Sequence, residues 1–286
     1  MRDRLRLAVP NKGRLVEPTL ALLHDTGLVF DEHDRSLVAR VLNFDLDILF
    51  VRATDVVEFV ADGVADLGIT GRDLLAEAGN TLPETRGLGF GRCRLAVAVP
   101  ADTPYRAVED IAGLRVATSH PNVARAFFRE RAIGVDVIAL SGAVEVAPRL
   151  GLAEGIVDLV STGSTLAMNG LRPIGDVMAS EAVLVANPAP AVARAGDVAA
   201  LDTMIGAVIA ARDRKYVLMN APAGRLGELE ALLPGLESPS VIPLAHEGMI
   251  AIHSVVGADE VWRLLPRLKA AGASGILVLP IEKIVP

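Results

Sequence analysis

IVDLVSTGSTLAMNGL, Ile156 to Leu171, decides how the chain is read. An apolar run ends at Ser161; Thr162, Gly163, Ser164 and Thr165 follow before apolar residues resume at Leu166. A short apolar run bounded by glycine and hydroxylated residues reads as a buried strand, and the segment after it as a helix. The loop 161–165 then lies at the carboxyl end of a parallel strand, where open α/β sheets bind ligands and helix N-terminal NH groups point at anions. Gly163 lets backbone approach a ligand, and Ser161, Thr162, Ser164 and Thr165 supply hydroxyl donors, an inventory that suits a phosphate monoester. Asp158 would repel a phosphate and suits sugar hydroxyls or a cation instead. A Ser/Thr-rich capped turn with no ligand has the same composition.

Outward from this stretch, the same alternation runs along the chain. LRLAVP, LDILFVR (46–52), ADLGIT (65–70), RLAVAVP (94–100), LRVATS (114–119), VDVIAL (135–140) and AVLVANP (182–188) read as strands. EPTLALLHDTG, ATDVVEFVADG, NVARAFFRERAIG and AVEVAPRLGLAEG, the last running from Ala143 to a cap at Gly155, read as helices. Alternating strands and helices indicate an α/β protein with largely parallel sheets. A long helix is expected at about 191–212. KYVLMNAP, GRLGELEALLPG, SPSVIPLA, MIAIHSVV, ADEVWRLLPRLKAAGA and SGILVLPIEK then read as β-α-β-β-α-β, the ferredoxin-like order, with a boundary near Asp213.

Other strand-end loops carry charge. PNKGRL places Lys12 and Arg14 around Gly13, where two cations suit a pyrophosphate, although on these residues alone a solvated basic turn is the favoured reading. Arg52 with Asp55, and Gly71, Arg72 and Asp73, end two further strands, and Asp73 could equally cap a helix. His120 ends another, where a lone histidine is more often structural than catalytic.

The composition bounds the function. The 286 residues suffice for one large or two to three modest domains, and 51% apolar residues with 22% charged indicate a globular chain. Aromatics at 3% leave the cores to Val, Leu, Ile and Ala. The single Cys93 cannot form an internal disulfide and reads as a buried spectator thiol suited to a reducing cytosol. The five histidines show no metal-binding spacing. No run approaches a membrane span or a signal segment, so a soluble, cytoplasmic protein without membrane partners is expected. A net charge of −7 argues against nucleic-acid binding, while a small polyanion remains possible where cations converge.

EVAPRLGLAEGIVDLVSTGSTL, Glu145 to Leu166, resembles the signature of the ATP phosphoribosyltransferases, the family that opens histidine biosynthesis. Glu145, Gly151, Ala153, Ile156, Asp158, Thr162, Gly163 and Thr165 carry the match, and NKGRL, DLGITGRD, GAVEVAPR, GLESPS and GASGILVLPIEK follow the family's blocks in order. Two positions depart from it: His120 stands where tyrosine is expected, and Asn220 where some relatives have Asp. The resemblance implies a two-lobed, periplasmic-binding-protein-like α/β catalytic core with a C-terminal ferredoxin-like βαββαβ regulatory domain. Lobe I would be 1–93 with 182–212, lobe II 94–181, and the regulatory domain 213–286.

The resemblance further implies a pentosyltransferase that joins ATP to 5-phosphoribosyl 1-pyrophosphate (PRPP), with Mg2+ accompanying the pyrophosphate. Ser161, Thr162, Gly163, Ser164 and Thr165 would hold the PRPP phosphate, and Asp158 the ribose, with Glu145 as a second carboxylate. Lys12, Gly13, Arg14, Arg52, Gly71, Asp73 and His120 would serve ATP or pyrophosphate. Asn220, Ser238, Ser240, Ala273 and Ser274 would line a site for inhibitory histidine between subunits of a dimer or hexamer. A non-catalytic two-lobed anion-binding module and a catalytically silent regulatory subunit are the rivals. The absence of a secretory segment counts against the first, and the intact signature against the second.

Overall fold

A computed structural model of the chain describes residues 4–31, 37–79, 82–188, 194–233 and 238–285. Its contacts divide it into two units, Met1–Val198 and Ala199–Pro286.

The first unit contains two sheets. One is built from β1 (Leu5–Pro10), β2 (Val38–Arg40), β3 (Leu46–Val51), β4 (Leu67–Gly71), β5 (Glu84–Gly87) and β11 (Ala182–Ala186), in the order β2-β3-β1-β4-β11-β5. β1 pairs parallel with β3 and β4, while β2, β11 and β5 join antiparallel. Helices α1 (Val16–Asp25), α2 (Val56–Ala61) and α3 (Arg72–Ala78) follow β1, β3 and β4. Val56 and Val60 of α2 pack with Ala8, Val183 and Val185 in the core of this lobe.

The other sheet has β6 (Cys93–Pro100), β7 (Arg115–Thr118), β8 (Asp136–Ala139), β9 (Gly155–Val160) and β10 (Leu171–Ser180), in the order β10-β6-β9-β7-β8. β7 is parallel to both β8 and β9. The two-residue period of a strand sorts β6 into two cores. Leu95, Val97 and Val99 face Phe127 and Phe128 of α4 (Pro121–Glu130), and Ala96 and Ala98 pack with Ile156, Val160 and Leu166. The chain crosses between the sheets twice, from Gly87 to Cys93 and back at Glu181.

Three strands escape the sequence pattern. β2 and β5 are short, and β10 is interrupted by Pro173 and Gly175. β10 lies at the sheet edge, where a missing NH breaks no ladder, and bulges at 173–175 and 176–178 absorb the irregularity. The helix expected over 143–155 is not formed. Only a 3-10 turn at Val144–Val146 appears, Pro148 has no NH to extend it, and Gly155 begins β9 instead of capping a helix.

The second unit holds β12 (Arg214–Pro222), α7 (Leu226–Glu230), β13 (Ser240–Pro243), β14 (Met249–Gly257), α8 (Val261–Ala270) and β15 (Ser274–Pro280). The antiparallel order β13-β14-β12-β15 is the ferredoxin-like one. Val217, Met219, Ile252 and Val256 form its core with Leu229, Leu264 and Leu268 from the helices. Helix α6 (Ala195–Arg212) corresponds to the expected long helix, of which 191–193 lie outside the described residues. Its residues from 199 onward group with this second unit, not with the lobe that 182–212 assigned them to. The hydrogen bond from Ile284 NH to Ala207 O ties the chain's end to that helix.

Phe128 is 2% exposed inside lobe II and Trp262 is 88% exposed. Phe128→Ala is expected to destabilise the protein by about 3–5 kcal/mol and Trp262→Ala by less than about 0.5 kcal/mol, read by circular dichroism in denaturant. Equal midpoint shifts for the two variants would contradict this core.

Candidate active site

The carboxyl ends of the parallel strands in the two lobes meet. α3 begins directly after β4, and Asp73 at its start lies 3.1 Å, Oδ2 to Nε2, from His120, the residue between β7 and α4. Ser180 Oγ, at the return crossover, donates to Asp73 Oδ1 and accepts from the Asp73 NH at 3.0 Å. His120 Nδ1 lies 3.0 Å from Ser119 Oγ, and the His120 NH donates to Thr118 Oγ1 at 2.9 Å. Burial works to raise the Asp73 carboxyl, but the hydrogen bonds from His120 and Ser180 outweigh it and hold the group below its ordinary value. Asp73 is therefore a buried carboxylate and His120 Nε2 donates to it.

His120 is 3% exposed with both ring nitrogens engaged. Asp73, also 3% exposed, is a joint between the lobes. Gly71 is required by that joint, because a side chain there would collide with Asp73 Oδ1. Arg72 braces the crossovers: it donates to Glu84 at 2.6 and 2.9 Å and to Glu181 at 3.1 Å. Its pairing with Glu84 first, against some desolvation and with help from Glu181, pushes the guanidinium above its ordinary value.

The register Thr118↔Val157 between β7 and β9 sets His120 beside Asp158. Asp158 is half-buried, and its Oδ1 accepts from the Leu159 NH at 2.8 Å. Burial is the main cause that lifts its carboxyl above the ordinary value; the Leu159 NH opposes this, the like charge of Glu145 adds to it, and His120 pulls it back. Asp158, Glu145 and His120 thus form one electrostatic group. Glu145 reaches it from the 3-10 turn, which the chain enters through Ala143 at φ 52°.

The loop after β9 presents its hydroxyls outward. Ser161, Thr162, Ser164 and Thr165 are exposed, and Leu166 beneath them is 3% exposed in the lobe II core. Gly163 precedes the short helix α5 (Ser164–Met168) at φ 82°, a conformation costly for any residue with a Cβ. Thr162 Oγ1 and Ser164 Oγ lie 2.9 Å apart and hydrogen-bond to one another.

Lys12, Gly13 and Arg14 lie exposed after β1, and Arg52 after β3. Arg14 Nη2 lies 2.9 Å from Cys93 Sγ at the start of β6; the thiol is partly exposed and held by a cation, not a buried spectator. No hydrogen bond or ion pair joins 12–14 to 161–165 among the described residues. In the second unit, Asn220 pairs with Ser274, whose Oγ donates to Asn220 O at 3.4 Å, and Ala273 is buried beside them. Ser238 and Ser240 lie on the β13 side, two strands from β12, so one copy does not bring all five together. Among the described residues no group of three or more His, Cys, Asp or Glu could hold a metal ion, and no helix is long and apolar enough to cross a membrane.

The sequence reading missed Ser180, Glu77 and Glu181. Glu77 follows Asp73 by four residues, a spacing visible in RDLLAEA, but its partners lie on another element.

Known proteins align with this architecture. The HisG family model, described as ATP phosphoribosyltransferase, matches residues 52–207, and the HisG C-terminal domain model matches 211–283. An ATP phosphoribosyltransferase of Gemmatimonas aurantiaca is 46% identical over 99% of this chain and 100% of its own, and one of Methanosarcina barkeri is 39% identical over 99% and 100%. Among solved structures, the ATP phosphoribosyl transferase (HisG:HisZ) complex from Thermotoga maritima superposes with a TM-score of 0.62 at 30% identity, covering 71% of this chain and 96% of that one. Together with the loop after β9 and the carboxylates beside it, these matches show that the chain belongs to the ATP phosphoribosyltransferase family of pentosyltransferases.

Proposed function

We propose that the protein transfers the phosphoribosyl group of PRPP to N1 of the adenine of ATP. The C1–O bond to pyrophosphate breaks, the N1–C1 bond forms, and phosphoribosyl-ATP and pyrophosphate are the products. The observation that carries this reading is the half-buried Asp158 near the end of β9, with Glu145 acting on it from the 3-10 turn, just before a loop of outward hydroxyls.

In this reading Thr162, Gly163, Ser164 and Thr165, with Ser161, hold the 5′-phosphate through hydroxyl and NH donors. Asp158 accepts hydrogen bonds from the ribose hydroxyls, and its negative charge with that of Glu145 favours the positive charge that develops on the sugar. Lys12 and Arg14 stabilise the departing pyrophosphate, with Arg52 and Gly13 on the ATP side. Asp73 and His120 act through the frame and not on the substrate. No covalent nucleophile is needed, since in-line positioning and charge stabilisation account for such a displacement.

Mg2+ fits the same place. The like charge of Glu145 helps to lift the Asp158 carboxyl, an environment that favours a cation, and Mg2+ is commonly held by one or two carboxylates and substrate oxygens. Asp158 and Glu145 would hold it, and when bound it supplies neutralisation of the pyrophosphate.

The second unit is proposed to bind histidine and inhibit the reaction, through Asn220, Ala273 and Ser274 of one copy and Ser238 and Ser240 of another, which makes a homo-oligomer part of the reading. The chain carries its own HisG C-terminal domain match, which supports activity without a separate regulatory subunit.

Mixing the protein with ATP, PRPP and magnesium is expected to raise the absorbance of phosphoribosyl-ATP, and added histidine to suppress the rise. A flat trace with both substrates present would favour an anion-binding module. Asp158→Ala and Thr162→Ala are each expected to raise the KM for PRPP about tenfold or more, losses typical of charge-assisted contacts. Unchanged kinetics in both removes the assignment. Ionised, Asp158 accepts from the ribose with both oxygens and lends its charge to the positive charge developing on the sugar, and its carboxyl protonates above the ordinary 3.8. kcat/KM for PRPP is therefore expected to fall on acidification at a pH above that value. Glu145→Gln removes the like charge, eases ionisation of Asp158 and should move this acid limb to lower pH. A limb that stays in place separates the two carboxylates.

A further inference from the structure

α3 carries two carboxylates one turn apart, and both reach lobe II. Asp73 does so through His120 at 3.1 Å. Glu77, four residues on and on the same helix face, does so through backbone. Its Oε1 and Oε2 each lie 3.0 Å from the Asn122 NH, and Oε2 accepts from the Val123 NH at 3.0 Å. Asn122 Nδ2 returns a hydrogen bond to Glu77 O at 3.0 Å.

These contacts fall on the start of α4. The first NH groups of any helix lack intrahelical partners, and a carboxylate there gains both their hydrogen bonds and the favourable end of the helix dipole. A neighbouring side chain usually supplies that cap, but His120, at the cap position, makes no such bond because its ring is turned to Asp73. The cap of a lobe II helix therefore comes from lobe I. It lies beside the return crossover, where Asp73 holds Ser180 and Arg72 holds Glu181.

We propose that Glu77 is a positioning residue for the transfer reaction: by capping α4 from the opposite lobe, it holds the two lobes at the separation at which the loops after β1 and β9 serve one pair of substrates. The proposal rests on the functional reading above. Without this cap the lobes part more readily, and the substrates must supply the closing free energy. Apparent affinity then falls with the closed fraction, while turnover of the closed complex is kept.

The test compares the wild-type chain with Glu77→Ala and Glu77→Gln in steady-state kinetics and in amide hydrogen exchange. Glu77→Ala is expected to raise the KM for ATP and for PRPP about tenfold, with kcat within about twofold. Glu77→Gln, whose amide oxygen still accepts, is expected to restore most of the loss. A fall in kcat with both KM values unchanged is what a smaller folded fraction produces, and it overturns the proposal; so does a rise in KM for one substrate alone. Exchange at Asn122 and Val123 reads the cap without any turnover. It should quicken about tenfold in Glu77→Ala, and equal rates in the two proteins overturn the proposal. A wild-type protein that forms no phosphoribosyl-ATP overturns the functional reading instead, and the exchange rates still decide whether the cap holds.

Discussion

A carboxylate buried between two lobes is the constraint on which the rest depends. Asp73 is removed from water at 3% exposure, and a buried charge persists only where partners replace its hydration. Those partners are His120 from lobe II and Ser180 from the return crossover, so the charge is satisfied only when α3, the start of α4 and the end of β10 come together. Satisfying one side chain thereby brings the carboxyl end of β4 against that of β7. The candidate site lies where these strand ends converge.

From that joint, electrostatics continues toward the loop after β9. His120 faces Asp73 on one side and lies beside Asp158 on the other, with Glu145 next in line. Asp73 is over-satisfied and held below its ordinary value, whereas Asp158 is under-satisfied and lifted above it. The contrast sorts the two carboxylates into different roles. A carboxylate with its partners complete serves the frame, and one that lacks them has capacity left for a ligand.

Much of this was legible in the sequence. The strands with strong apolar runs, the ferredoxin-like order after 213 and the signature from Glu145 to Leu166 all follow from local pattern. What escaped is non-local. β10 has no uninterrupted apolar run because Pro173 and Gly175 break it, and its edge position makes those residues tolerable. AVEVAPRLGLAEG has helical spacing, yet Pro148 halts it after one turn, and that shortness leaves Glu145 turned toward Asp158. His120 reads as a structural strand-end residue, but its partner, Asp73, is forty-seven residues away in sequence and no local pattern names it. Glu77 carried a visible spacing without a visible partner.

A crystal structure of the protein with PRPP and magnesium decides what the loop after β9 holds. The 5′-phosphate is expected against the hydroxyls and NH groups of Thr162 to Thr165, with the ribose hydroxyls on Asp158. PRPP bound elsewhere, with residues 161–165 touching only solvent or protein, would contradict this placement.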